Sequence, residues 1–139
     1  MTTDKRFVLQ ERDGNIPSIV LPGKICHFGK TLQEGEGFRT AAANAVRDEI
    51  GYPVEPDKLE FFCNIVKSTE LYNDESDSVH AVYILWDVEP SELTLGQGAA
   101  LHVWTSQEAL SSDKLTRVTR DTLIDFITHH PEYDSGAYA

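Results

Sequence analysis

The chain has 139 residues, 40% of them hydrophobic, a length and composition suited to one compact domain with a real core. Twelve Lys and Arg against 23 Asp and Glu give a formal charge of -11, which repels nucleic-acid backbones and anionic membrane surfaces. A nucleic-acid polymer or a membrane is therefore not an expected partner, whereas the charge leaves a small phosphorylated ligand open, because carboxylate-bound divalent cations neutralise phosphates locally; it equally fits a plain acidic surface.

No apolar run approaches membrane-spanning length, and Met1 to Lys5 lacks the apolar stretch of a secretory signal, so a cytoplasmic location is expected. Cys26 and Cys63 fall on different segments without metal or redox spacing and read as reduced thiols.

Arg6 to Arg12 has strand-like content and ends in the turn signal Asp13-Gly14-Asn15. Residues 16 to 37, with Pro17, Pro22 and four glycines, read as extended backbone and turns. The run FRTAAANAVRDEI, Phe38 to Ile50, is alanine-rich and predicts a helix that Gly51 and Pro53 stop. A helical wheel puts Ala42, Ala43, Val46 and Ile50 on the packed arc, with Asn44, Ala45, Asp48 and Glu49 on the other side.

Leu59 to Ser68 and Ser78 to Val88 read as strands, with the acidic stretch Asn73 to Asp77 as the turn between them. A strand around Leu101 to Trp104 leads into a short helix, Ser106 to Leu110, with a serine N-cap. Thr119 to His129 reads as the last helix, and residues 131 to 139 as a loose tail. The expected organisation is one domain over residues 1 to 139, its core about 6 to 130, of α+β class.

The segment Ile25 to Gly51, ICHFGKTLQEGEGFRTAAANAVRDEIG, resembles the box of the Nudix (MutT-like) hydrolases, G-x5-E-x7-R-E-U-x-E-E-x-G-U, with no gap. Glu36, Val46, Glu49 and Gly51 match outright, and Asp48 and Tyr52 are similar in kind. Lys30 stands at the opening glycine behind Gly29, and Asn44 and Ala45 replace Arg-Glu. LQERDGNIPSIVLPGKI upstream and LTLGQGAALHVWTSQEAL downstream extend the likeness over residues 6 to 130, with Gln97 where relatives often carry a glutamate.

The resemblance implies a Nudix-type α/β/α sandwich with a mixed sheet. It also implies Mg²⁺- or Mn²⁺-dependent hydrolysis of a nucleoside diphosphate linked to another moiety. Asp48 and Glu49 would hold the metal and carry catalysis, Lys30 and Trp104 would contact substrate, and Glu36, Gly29 and Gly51 would be structural. Homodimers are common in that family.

Bland readings stand beside these. Asp48 and Glu49 also fit a solvated acidic pair, Lys30 a surface cation, Trp104 a core residue, and Glu36 an exposed turn. Glu70, Asp74, Glu75 and Asp77 fit a solvated loop as well as a specificity loop. The five dispersed histidines do not suggest zinc. Acids at one helix position and at three and four residues beyond converge on one face, and Ala45 leaves the first of these without oxygen. A non-catalytic domain binding a nucleotide-like ligand or a protein is the alternative function.

Overall fold

The computed structural model describes residues 1–12, 23–30, 32–67, 78–96 and 100–135. Strand β1 (Phe7–Glu11) lies between β2 (Ile25–Cys26) and β5 (Ala100–Trp104), antiparallel to both. β3 (Glu60–Lys67) and β4 (Ser78–Ile84) form an antiparallel pair whose register shifts between Phe61 and Cys63. Helix α1 (Phe38–Ile50) precedes β3, whereas α2 (Ser106–Leu110) and α3 (Arg117–His129) follow β5. This is an α+β architecture. A parallel bridge from Ile25 to Leu115 stitches β2 to the chain just before α3.

Strand pairing sorts side chains onto two faces, because cross-strand partners in a ladder point the same way. Phe7 faces Trp104 and Leu9 faces His102, while Gln10 lies opposite both Leu101 and Cys26. The Phe7 and Leu9 face is the core. It packs with Ile25, Ile84, Leu115 and the apolar stripe Leu123, Phe126 and Ile127 of α3. Phe126 meets the Phe7 ring edge-on at 5.7 Å. Burying two such aromatic rings is worth several kcal/mol, and the edge-on geometry adds about 1 kcal/mol.

The helix over Phe38 to Ile50 has the predicted limits. Gly51, at φ 63, forms its left-handed cap and donates to Arg47 O at 2.9 Å. The exposed carbonyls at that end are met by a strap: Thr94 N donates to Ile50 O at 2.8 Å and Gly96 N to Glu49 O at 2.7 Å. The packed face differs from the wheel expectation. Ala41, Ala43, Ala45 and Ile50 are buried, while Ala42 and Val46 are half-buried. α1 packs against β4 and the turn Pro56–Lys58, which enclose small alanines beyond the expected arc.

β4 ends at Ile84, short of the predicted Val88, and Asp87 has a left-handed φ of 57 that no continuing strand accommodates. The N-cap of α2 is Thr105, not a serine, in a capping box with Glu108. Helix α3 starts at Arg117, two residues before the predicted Thr119, because Thr116 caps it. The segment after α3 is not loose as far as Ser135. Tyr133 packs on the core, and Ser135 Oγ accepts from Gln107 N at 2.8 Å. The predicted turns over 13–22 and 73–77, with Glu70, Asp74, Glu75 and Asp77, lie outside the described residues, as does Gln97.

Candidate functional site

The second face of the β2-β1-β5 sheet carries Gln10 and Cys26, both buried, and meets the C-terminal turn of α1 at Glu49. The Glu49 carboxylate is half-buried and accepts from Gly29 N–H at 3.2 Å and from the Gln10 side-chain amide. Burial pushes its pKa above the ordinary value. The Gln10 and Gly29 hydrogen bonds and nearby Arg12 oppose that rise, and the Asp48 charge adds to it. A carboxylate that is costly to ionise, held by two donors beside a guanidinium, is the arrangement common at functional sites.

Arg12 belongs to this cluster. Its Nε donates to Cys26 Sγ at 3.3 Å. Burial raises the Cys26 thiol pKa, with Arg12 opposing, so this cysteine is protonated and unreactive. Cys63 is also free and half-buried.

Asp48 points elsewhere. It is exposed and pairs with its neighbour Arg47 at 3.2 Å. The structure therefore separates the two acids into one held at the sheet and one on the surface. Ala45, predicted to lie between them on the open side, is only 2% exposed.

Glu36 braces the loop before α1. It accepts from Gln33 N at 3.1 Å, Asn44 Nδ2 at 2.8 Å and Lys30 Nζ at 3.3 Å, and these bonds, Gln33 foremost, lower its pKa. Glu36 thereby ties the loop to α1, with Asn44 giving a single hydrogen bond. Gly37 occupies the N-cap of α1 without a side-chain bond. Lys30 is drawn into this network and not towards Glu49.

Trp104 lies on the core face of the sheet, opposite the Gln10 face, and packs on the core with its ring centroid 4.5 Å from that of His102. The structure does not bring it to Glu49. Of the residues singled out from sequence, Glu49 and Gly29 come together, and Gly51 caps the helix that carries Glu49. Gln10 and Arg12 were not singled out. The alternation of β1 puts Gln10 and Arg12 on one face, a usable signal, but only the pairing shows which element covers that face.

Glu49 and Asp48 offer the hard oxygens that Mg²⁺ or Mn²⁺ takes, yet among the described residues no three His, Cys, Asp or Glu come together to hold a metal ion. Magnesium is commonly held by one or two carboxylates together with substrate phosphates. The two carboxylates match the donor chemistry of such an ion, and among the described residues they do not form a cage that binds it alone.

No helix among the described residues is long and apolar enough to cross a membrane. No sequence-family model and no curated protein matches the chain. Solved structures do. A MutT protein from Methanosarcina mazei Go1 superposes with a TM-score of 0.76 at 16% identity, covering 93% of this chain and 88% of that one. A MutT Nudix hydrolase from Burkholderia pseudomallei gives 0.67 at 22% identity, covering 90% and 91%. The E. coli dihydroneopterin triphosphate pyrophosphohydrolase gives 0.67 at 16% identity, covering 92% and 90%. Likeness at this identity speaks for architecture, and it agrees with the element order: the chain has the Nudix fold.

Proposed function

We propose that this chain is a Nudix-type hydrolase that cleaves a nucleoside diphosphate linked to another moiety, with Glu49 as its working carboxylate and with slow turnover. The observation that carries the reading is the half-buried Glu49, held by Gly29 N–H and Gln10 beside Arg12. Gly29 and Gln10 orient the carboxylate, and Arg12 supplies positive charge for a phosphate. Glu49, with Asp48 turned away from Arg47, would hold Mg²⁺ or Mn²⁺ brought by the substrate. Such an ion screens phosphate oxygens and makes water a better nucleophile. Slow turnover follows because Ala45 contributes no oxygen, and each lost electrostatic contact to the transition state costs several kcal/mol.

The test is release of nucleoside monophosphate or phosphate from a panel of nucleoside diphosphate derivatives with Mg²⁺ or Mn²⁺. Turnover lost in Glu49→Ala and reduced in Asp48→Ala is expected. An inert wild type across the panel overturns the reading.

A second reading, a binding domain without hydrolysis, is favoured by one observation: Ala45 is buried and offers no oxygen, and Asp48 pairs with Arg47 at the surface and not with Glu49 at the sheet. It expects thermal stabilisation by a nucleotide in EDTA with no turnover when metal is added.

A further inference from the structure

Hydrolysis at Glu49 leaves the chain beyond α1 unused. After Gly51 it runs through Tyr52 and Pro53 to the 3₁₀ turn Pro56–Lys58, where Lys58 N donates to Glu55 O at 2.9 Å and Leu59 N to Pro56 O at 3.2 Å. Each proline ring fixes its own φ, and the buried Leu59 anchors the turn. Between this segment and the chain just past β4 lies a cavity of about 470 Å³, inside the range of roughly 300–1,000 Å³ usual for small-molecule sites.

Tyr52 and Val54 border the cavity on the loop side, Leu85 and Trp86 on the other. Trp86 is held by three rings from α3 or the residues after it: Phe126 at 6.0 Å, His130 at 5.6 Å and Tyr133 at 6.0 Å. A side chain braced in this way loses little freedom when a ligand settles against it. Its indole N–H makes no hydrogen bond to another described residue, and neither do the Tyr52 hydroxyl, the Glu55 carboxylate or the Lys58 ammonium. Among the described residues no buried side-chain nitrogen or oxygen lacks a partner, so the unpartnered N–H and O–H of half-buried Trp86 and Tyr52 reach solvent.

These groups select the chemistry of an occupant. Glu55 and Lys58 border the same cavity one turn apart with opposite charge, so the rim favours neither a cation nor an anion. Both are exposed, and charge attraction alone is weak there. The formal charge of -11 disfavours an anion further. Contact with two aromatic side chains remains as the source of affinity, and it suits a flat ring. A rim that offers an acceptor at Glu55 and donors at Lys58 and Trp86 suits a ring edge that carries both kinds of group.

We propose that the cavity between Tyr52 and Trp86 binds a nucleobase-like heterocycle, a neutral planar ring with donors and acceptors on its edge. Tyr52 and Trp86 contact the ring, and Glu55 and Lys58 its edge. None of the four is among the groups that hold Glu49, and binding needs neither phosphate nor metal, so the site stands apart from the hydrolase reading.

The test titrates the full chain in EDTA at pH 7 with adenosine, guanosine and uridine, then with the diphosphate of the tightest nucleoside and with ribose 5-phosphate, reading the indole ¹H–¹⁵N signals. At least one nucleoside is expected to shift the Trp86 signal saturably and to leave that of Trp104, on the core face of the sheet, in place. Ribose 5-phosphate should move neither. A diphosphate no tighter than its nucleoside marks a free base or nucleoside as the ligand, and a tighter one marks the base of a nucleotide; both support the site. By calorimetry, Tyr52→Ala weakens the nucleoside about tenfold, whereas Tyr52→Phe, which keeps the ring, stays within about threefold of wild type. A Trp86 signal that no nucleoside moves, an equal response from Trp104, an equal effect of ribose 5-phosphate, or Tyr52→Ala binding like wild type overturns the proposal. If Tyr52→Ala does not fold, the wild-type spectra still decide. Absence of turnover with metal present sinks the hydrolase reading alone, so the two failures are distinguishable.

Discussion

The amide of Asn44 donates to Glu36 Oε2 at 2.8 Å, joining the second turn of α1 to the loop that precedes it. The loop carries Gly29, so this bond helps present the N–H that holds Glu49. Asn44→Ala is expected to lower the melting temperature more than Lys30→Ala, because the ammonium approaches Glu36 at 3.3 Å and is the more exposed partner. Differential scanning fluorimetry of the two variants checks the order.

Burial of Glu49 has a consequence for stability. Its folded pKa is raised, so the unfolded chain loses its proton at lower pH than the folded one. Stability from this group is fully present below the unfolded carboxylate pKa and declines as pH rises through the folded value. Glu49→Gln should therefore melt higher than wild type at pH 7, with the gap closing towards pH 4, while turnover is lost. Melting curves across that range read it, and a variant less stable at pH 7 would contradict it.

His27 acts with the opposite sign. Its folded pKa of about 4 lies below the unfolded value of about 6.5, so on acidification the unfolded chain takes up the proton first. The contribution is intact above pH 6.5 and is lost as pH falls towards 4, by up to about 3 kcal/mol. Urea unfolding at pH 7 and pH 4.5, in wild type and His27→Gln, should show acid sensitivity reduced in the variant.

Gly96 is held by close approach. A Cβ there would lie 2.7 Å from Asp48 O and 2.9 Å from Glu49 O, both backbone atoms of α1. Gly96→Ala is expected to cost about 3 kcal/mol, since the strap must lift off the helix end and its bond to Glu49 O is lost. Chemical denaturation measures the cost. The same variant should impair ligand binding, because Glu49 sits on the displaced turn.

Restoring the missing acid meets the packing of α1. Ala45 is buried, so Asn44→Arg with Ala45→Glu puts a carboxylate where no water compensates it. The double variant should melt several degrees lower in EDTA and recover with Mn²⁺, whereas wild type should respond little to Mn²⁺ alone. An equal metal response in both proteins counts against the assigned register of the box.

The alanine-rich run with Gly51 behind it determined α1 to the residue, because helix propensity and a left-handed cap are local properties. The apolar stripe of α3 was legible for the same reason, since its residues recur at helical spacing. Tertiary structure decided the rest. Which face of β1 meets α1 depends on the pairing of Gln10 with Cys26, residues of two different strands whose register no local pattern sets. That pairing brings Gln10 and Arg12 to Glu49 and leaves Trp104 on the opposite face, and His27 meets Thr119, 92 residues away, at 2.8 Å. Burial turned the adjacent acids Asp48 and Glu49 into unlike groups. A sequence registers both as carboxylates, but the cost of ionising each depends on what the fold packs around it.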